Sequence, residues 1–174
     1  MGKDLVRIGM VGAGSISGSH LSAAREGAGA KIVAVCDIIE ERARKRSAEF
    51  GIPEVYTDHE KMLEEADLDA VIVGVPNNVH HVITVNALKA GKHVLCEKPM
   101  AINVAAGEKM VATAKESGKI LAVGLVNRMR SEVQTLRKMV DQDELGDIYY
   151  AKAMMIRRKG IPGWGSWFTR KEES

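Results

Sequence analysis

Short apolar runs alternate with longer amphipathic segments along most of the chain. The runs are rich in valine and isoleucine and barely alternate with polar residues, a pattern typical of strands buried on both faces of a parallel sheet. They predict one short edge strand and five longer strands, at residues 55–56, 6–11 (VRIGMV), 31–37 (KIVAVCD), 70–75 (AVIVGV), 93–96 (HVLC) and 120–123 (ILAV).

The segments between these runs are predicted to be helices. Apolar residues recur at spacings of three and four within residues 79–90 and 104–114, and Gly91 and Gly118 follow as stop signals. The spacings of Thr57 to Glu60 and of Ser131 to Gln134 are those of capping boxes at two further helices. Repeated strand–helix–strand units imply right-handed crossovers and a doubly wound α/β sheet.

From Ile148 the pattern changes. Residues 148–157 (IYYAKAMMIR) predict a long strand, which is followed by the loop GIPGWGSWF and a charged tail. A lone strand would present an open edge, so we expect it to be the first strand of a second domain that the chain does not complete.

Composition and charge narrow the function classes. The 174 residues are 45% hydrophobic, 28% charged and 4% aromatic, with a net charge of +2, which favours a globular protein and disfavours nucleic-acid binding. We see no apolar stretch of about 20 residues and no signal peptide, and therefore expect a cytoplasmic protein without a membrane segment. The two cysteines are expected to be buried free thiols, and the five histidines lack metal-ligand spacing, so no metal site is expected.

The strongest motif is the glycine-rich turn GAGSIS, which follows the first strand and opens a helix. Gly12 allows a tight turn, and Gly14 lets main-chain amides approach a pyrophosphate at the helix N-terminus. Ser17 replaces the third glycine of the dinucleotide fingerprint but is small enough for close helix–strand packing. The second strand ends in Asp37, where an acid binds the ribose hydroxyls in such proteins, so the pattern predicts dinucleotide binding.

The same acid bears on the choice of cofactor. Asp37 would repel a 2′-phosphate and favours NAD, whereas Arg42 and Arg44 keep NADP possible. The basic run that contains these arginines, residues 42–46, is flanked by glutamates and is interpreted as a solvated helix face.

A second motif, CEKP at residues 96–99, follows the fifth strand. Ligands of open α/β sheets bind outside the carboxyl ends of the strands, so Lys98 could hydrogen-bond a substrate hydroxyl or share its proton. On the residues alone, a surface lysine before a turn proline explains the motif better.

Taken together, these motifs and the stretches VPNNVH and AGKHV resemble the glucose–fructose oxidoreductase and inositol dehydrogenase family (Gfo/Idh/MocA) in order and spacing. The resemblance implies an N-terminal Rossmann domain and a C-terminal α/β domain that carries substrate and often dimer contacts. On this basis we expect an NAD(P)-binding Rossmann domain at 1–125, a connecting helical segment at 126–147 and the incomplete start of the substrate and dimerisation domain at 148–174. Members of the family transfer a hydride between nicotinamide and a secondary alcohol carbon of a sugar, cyclitol or related polyol.

The resemblance also implies roles for individual residues. Lys98 matches a catalytic lysine that handles the hydroxyl proton, and the peptide before Pro99 is expected to be cis. Trp164 and Trp167 fall in a loop near the site, where anchoring the loop and contacting the ligand are equal alternatives. The positions that match cofactor-binding residues are Gly12, Gly14, Ser15, Ile16, Asp37, Pro76, Asn77, His80, Glu97, Asn127 and Arg128.

The resemblance also bears on what the chain alone does. The family's principal acid/base histidine lies in the second domain, beyond Ser174. We therefore expect this chain to bind the cofactor with negligible turnover and the full-length enzyme to be a homo-oligomer. Two alternatives remain open at this point: a non-catalytic dinucleotide-binding sensor or scaffold, and an inactive fragment.

Overall fold

A computed structural model describes residues 5–27, 29–156, 158 and 169–171. The chain divides into two compact units at Gly124. The first unit holds the sheet, and the second begins at Leu125. No helix in the described residues is both long and apolar enough to span a bilayer.

The first unit contains a six-stranded, fully parallel sheet. Its strand order is β3-β2-β1-β4-β5-β6, which confirms the predicted doubly wound arrangement. The strands begin and end within two residues of the predicted positions, and they are β1 (Val6–Val11), β2 (Ala30–Cys36), β3 (Glu54–Tyr56), β4 (Ala70–Val73), β5 (His93–Cys96) and β6 (Leu121–Val123).

Helices cover both faces of this sheet. Leu21 and Ala43 pack with Ile72 on one face, whereas Met62 and Leu88 pack on the other. Because residues that alternate along a strand point to opposite faces, both sides of β4 are buried. The helices are α1 (Ser15–Glu26), α2 (Glu40–Phe50), α3 (His59–Glu65), α4 (His80–Lys89), α5 (Val104–Ser117) and, in the second unit, α6 (Ser131–Asp141).

The helix caps differ from those that the capping-box spacings predict. The cap of α3 is Asp58, whose carboxylate accepts the main-chain N–H of Glu60 at 2.8 Å, one residue after Thr57. Ser131 is the first residue of α6 rather than its cap, and the cap position, Arg130, makes no side-chain capping bond. The helices themselves are present at both places.

The strand predicted from Ile148 is wrong for the part of it that the structure describes. Residues 148–156 form neither helix nor strand, and all of them are exposed. The physical reason is that a strand needs a neighbour to accept and donate its main-chain hydrogen bonds, and no strand of the described chain pairs with this segment. Arg157, Trp164 and Trp167 lie outside the described residues.

Candidate functional site

The order in which the chain adds strands reverses between β1 and β4: β2 and β3 lie on one side of this point, and β5 and β6 lie on the other. In an open parallel sheet, ligands bind at such a point, outside the carboxyl ends of the strands. The loops that follow these two strands touch there: the Gly74 N–H donates to the Val11 carbonyl at 2.8 Å, and a Cβ on Gly12 would stand 2.2 Å from the Gly74 carbonyl oxygen. Gly12 also has φ +96°, so both its conformation and its surroundings require glycine.

Gly14 is glycine for a different reason. Its φ of −71° suits any residue, and a Cβ there would meet no atom of the described chain within 4 Å. It caps α1, and the exposed Ser15 and Ile16 open that helix, so their main-chain N–H groups lack helical acceptors. The turn therefore leaves open space beside unpaired donors, which fits an approaching pyrophosphate.

Asp37 lies beside this turn, directly after β2. It is 9% exposed, and its carboxylate accepts the N–H of Ala13 at 2.8 Å and that of Ile39 at 2.9 Å. A carboxylate has about four lone-pair sites, so these two bonds leave capacity for ribose hydroxyls. The fold thus brings together the predicted phosphate-binding turn and the predicted ribose-binding acid.

Arg46 also contacts the turn, which corrects the interpretation of residues 42–46 as a wholly solvated face. Its guanidinium donates to the Gly14 carbonyl and to the Ser17 hydroxyl, both at 3.1 Å, and that hydroxyl donates to the Gly14 carbonyl at 2.6 Å. Arg42 and Arg44 are exposed as expected. The sequence gives little sign of this difference, because glutamates flank the whole run.

Pro76 and Asn77 follow β4 on the other side of the switch point. Asn77 begins a short 3₁₀ helix, and its side-chain oxygen is buried without a hydrogen-bond partner among the described residues. A buried oxygen without a donor is costly, so a ligand N–H or O–H group at this place would satisfy it. The segment therefore fits a cofactor whose ribose or carboxamide supplies a donor.

The CEKP motif leaves β5 at the same edge of the sheet. Glu97 is 7% exposed, and a Cβ on the neighbouring Gly124 would stand 3.2 Å from its carboxylate. Lys98 is exposed, and no hydrogen bond or ion pair of its ammonium group is seen in the described part of the chain. The Lys98–Pro99 peptide is cis, as expected.

Two histidines contact this motif. His20 on α1 places Nε2 2.8 Å from the Glu97 carboxylate. His80 is 1% exposed, with Nδ1 2.8 Å from the Pro99 carbonyl oxygen and Nε2 2.9 Å from that of Val75. Bonding of His80 to a cofactor, as the sequence predicts, would require one of these contacts to break; the sequence assigns no role to His20.

Two other predicted cofactor ligands lie in the second unit. Asn127 and Arg128 are exposed and belong to a short 3₁₀ helix, Val126–Met129. The Asn127 carbonyl accepts the Arg130 N–H at 3.3 Å, and the Arg128 carbonyl accepts from the Gln134 side chain. Their contact with a cofactor stays a prediction.

The cysteines are free and buried, as expected from the strand order, which separates β2 from β5 by three spacings. Burial, reinforced by nearby carboxylates, raises the pKa of Cys36 to about 12. Burial also raises the pKa of Cys96, to about 11. Both thiols are therefore protonated and poorly nucleophilic near neutral pH. Within the described residues, no group of three or more His, Cys, Asp or Glu side chains is placed to hold a metal ion.

Comparison with known proteins gives one family and several relatives. Residues 6–125 match the model of an oxidoreductase family with an NAD-binding Rossmann fold, GFO_IDH_MocA. The chain is similar to the D-glucoside 3-dehydrogenase of Escherichia coli, with 38% identity over 168 residues, covering 96% of this chain and 48% of that protein. The chain thus spans about half the length of the curated relatives it matches.

Solved structures show the same similarity. The scyllo-inositol dehydrogenase of Lactobacillus casei with bound NAD(H) and scyllo-inositol has a TM-score of 0.78 and 29% identity, covering 83% of this chain and 43% of that one. The WlbA dehydrogenase of Bordetella pertussis in complex with NADH and UDP-GlcNAcA has a TM-score of 0.79 and 32% identity, covering 83% and 44%.

Proposed function

The chain belongs to the Gfo/Idh/MocA oxidoreductase family, whose fold binds NAD, and we propose that it supplies the cofactor site and one catalytic lysine of a dehydrogenase. The substrate would be a sugar, cyclitol or related polyol, oxidised or reduced at a secondary alcohol carbon. The observation that carries this proposal is the hydrogen bond between the glycine-rich turn and Asp37 at the switch point of the sheet.

The residues around that bond would each contact a different part of the cofactor. The N–H groups at Gly14, Ser15 and Ile16 would bind the pyrophosphate, since a helix N-terminus attracts anions. Asp37 would accept from the adenosine ribose hydroxyls and would repel a 2′-phosphate, so NAD is preferred to NADP. Asn77, with Pro76 beside it, would accept a hydrogen bond at its buried side-chain oxygen.

Lys98 is the residue of this chain proposed to touch substrate. Bound nicotinamide supplies the site that accepts or donates the hydride. The exposed Lys98 ammonium would donate a hydrogen bond to the substrate hydroxyl and orient it. It would also stabilise the negative charge that develops on the oxygen as the hydroxyl proton passes to the acid/base histidine that the family carries in its second domain. Glu97 is proposed to lie beside the cofactor.

The substrate class rests on the relatives. Two relatives are named for a D-glucoside and an inositol, and the WlbA dehydrogenase is seen in complex with UDP-GlcNAcA; these molecules carry several secondary hydroxyls. The remaining proposals concern the whole protein. We propose a cytoplasmic location, because two free buried thiols stay reduced in that compartment. We also propose that the protein is a homo-oligomer and that its substrate domain starts near residue 148.

Substitution of Lys98 in the full-length protein tests whether this residue is catalytic. With NAD and a panel of inositols and glucosides, we expect Lys98→Ala to lower kcat by about 10²–10⁴-fold, the usual contribution of a positioned proton donor. Lys98→Arg keeps the charge and should retain more activity. Undiminished turnover by Lys98→Ala would overturn the catalytic role, and absence of turnover across the panel by the unsubstituted protein would overturn the proposed substrate class.

A further inference from the structure

Lys98 is exposed, but the residues on either side of it have fixed positions. Glu97 before it is buried, and the carbonyl oxygen of Pro99 after it contacts the buried ring of His80. A flexible side chain on a fixed main chain samples a restricted volume, which is the condition for reproducible contact with a substrate. The groups that fix this main chain therefore bear on the proposed chemistry.

His20 holds the side that precedes Lys98. Its Nε2 lies 2.8 Å from one oxygen of the Glu97 carboxylate, and the other oxygen accepts the Lys98 N–H at 3.1 Å. A carboxylate only accepts, so the ring nitrogen is the donor. His20 lies on α1, the helix that Gly14 of the glycine-rich turn caps. These bonds therefore connect the proposed pyrophosphate site to the main chain of Lys98.

His80 holds the side that follows Lys98. Its two nitrogens lie within 2.9 Å of the carbonyl oxygens of Pro99 and Val75, and the ring is 1% exposed. It thereby connects the loop after β5 to the loop after β4, which leads to Asn77. A neutral imidazole has one N–H and donates to one of these carbonyls at a time, so a role in holding Pro99 requires that Nδ1–H is the donor.

Resting on the proposed function, we infer that His20 and His80 are positioning residues, which act through Glu97 and Pro99 to set where Lys98 meets the cofactor and substrate. Neither ring needs to touch the cofactor. The contacts of these rings to Glu97 and Pro99 position Lys98, and the contact of His80 to Val75 matters less.

Matched substitutions can remove one of these contacts while keeping the other. In His80→Asn the amide nitrogen replaces Nδ1 and keeps the Pro99 contact, whereas in His80→Gln it replaces Nε2 and keeps the Val75 contact. His80→Asn removes one methylene group more than His80→Gln from the same buried place, so better packing cannot explain a smaller effect of His80→Asn. At the other side, His20→Gln keeps a donor for Glu97, and His20→Leu removes it while conserving bulk. The His20 pair decides the question if the buried His80 variants fail to fold.

The readout is the Lys98 signal in the NMR spectrum of the 174-residue chain with ¹³C-methylated lysines, assigned by its absence from Lys98→Arg. Methylation keeps the charge. At saturating NAD⁺ we expect the ligand-induced shift of this signal to persist in His80→Asn and His20→Gln. In His80→Gln and His20→Leu it should fall by about half or more, because the lysine samples a wider volume.

The outcomes distinguish the two proposals. A Lys98 signal that responds to NAD⁺ in the unsubstituted chain but equally in both members of each pair would overturn the positioning role and leave only a structural one. An unsubstituted chain that does not bind NAD⁺, or whose Lys98 signal does not respond, would instead contradict the proposed function.

Discussion

Gly12 and Gly14 stand two positions apart in one turn, but different forces require each of them. At Gly12 any side chain would collide with the Gly74 carbonyl, and the φ of +96° is unfavourable for other residues. At Gly14 the protein itself has room for a side chain. The glycine pattern alone predicts both positions, but only the structure separates the folding requirement from the ligand requirement.

Substitution of Gly12 should therefore lower stability, whereas substitution of Gly14 should lower the affinity for NAD⁺. We expect Gly12→Ala to lower the free energy of unfolding by roughly 3 kcal/mol or more, through the clash and the strained φ. Gly14→Val should leave the thermal midpoint nearly unchanged and weaken NAD⁺ binding at least about tenfold, by occupying the space of the pyrophosphate. Thermal unfolding and calorimetric titration of the same samples measure both effects. Equal loss of stability in the two variants would contradict this assignment.

The two cysteines should be unreactive in the folded chain. Burial raises the pKa of Cys96 to about 11 and that of Cys36 to about 12, so at pH 8 the thiolate fraction is about one in a thousand or less. We expect no rapid reaction with a thiol-specific disulfide reagent until denaturant is added, when both thiols react. Fast modification of either thiol in the native chain would show that these strands open readily.

Residue-scale prediction succeeded where a motif reports main-chain geometry, and it was incomplete where side chains act across elements. The turn, Asp37 and Lys98 each follow a strand in the sequence, and the parallel sheet brings strand ends together. By contrast, the contacts of His20 and Arg46 join residues 77 and 32 positions apart. Nothing in the local pattern indicates such pairs, because they depend on how helices pack over the strands.

At the scale of elements, β1 and β4 are joined by more than the sheet ladder. Arg7 on β1 bonds Asp69 before β4 through its guanidinium at 3.0 and 3.2 Å and through its main-chain N–H at 2.8 Å. The side-chain bond from Arg7, followed by the main-chain bond, lowers the pKa of Asp69 to about 2. These contacts lie at the amino end of the sheet, opposite the proposed cofactor site.

The Asp69 contact should be visible as an acid-sensitive contribution to stability. A carboxylate with a lowered pKa stabilises the fold fully above its unfolded value near 4, and the contribution is lost as pH falls toward 2. We expect the thermal midpoint to decline over this window and Asp69→Asn to remove part of the decline. Identical acid profiles for the two proteins would show that the ion pair does not contribute.

Helix α5 offers a test of a capping interaction. Asn103 precedes it and accepts the Ala106 N–H at 2.9 Å with its side-chain oxygen. Asn103→Ala should lower the free energy of unfolding by about 1 kcal/mol, and Asn103→Asp, which keeps the acceptor, should restore it. Denaturant titration of both variants measures the difference; no loss in the alanine variant would mean that water replaces the cap.

Two of the buried strands were predicted with their exact bounds from continuous apolar runs. Strands β1 and β5 have the predicted bounds, since buried parallel strands leave a continuous apolar run. The strand predicted from Ile148 is absent from residues 148–156, because β propensity is realised only with a partner. The cap of α3 lies one residue after Thr57, because Asp58 accepts the N–H of Glu60, the group that Thr57 would bond in a capping box.

For the whole molecule, the switch point explains why separate motifs converge. Strand order brings the loops after β1 and β4 into contact, and the loops after β2 and β5 lie one strand further out on either side. Asp37 bonds to the first loop, and the histidine contacts tie the CEKP turn to the same edge. The topology therefore brings four strand ends together at the edge of the sheet where we propose the cofactor site.

We expect this edge of the sheet to bind NAD in preference to NADP. Calorimetric titration of the 174-residue chain with NAD⁺ and with NADP⁺, in parallel with Asp37→Ser, tests it most directly. We expect saturable one-to-one binding of NAD⁺, NADP⁺ binding weaker by at least about tenfold from repulsion at Asp37, and a smaller difference between the two in Asp37→Ser. Absence of NAD⁺ binding, or equal affinity for both dinucleotides in the unsubstituted chain, would contradict the account.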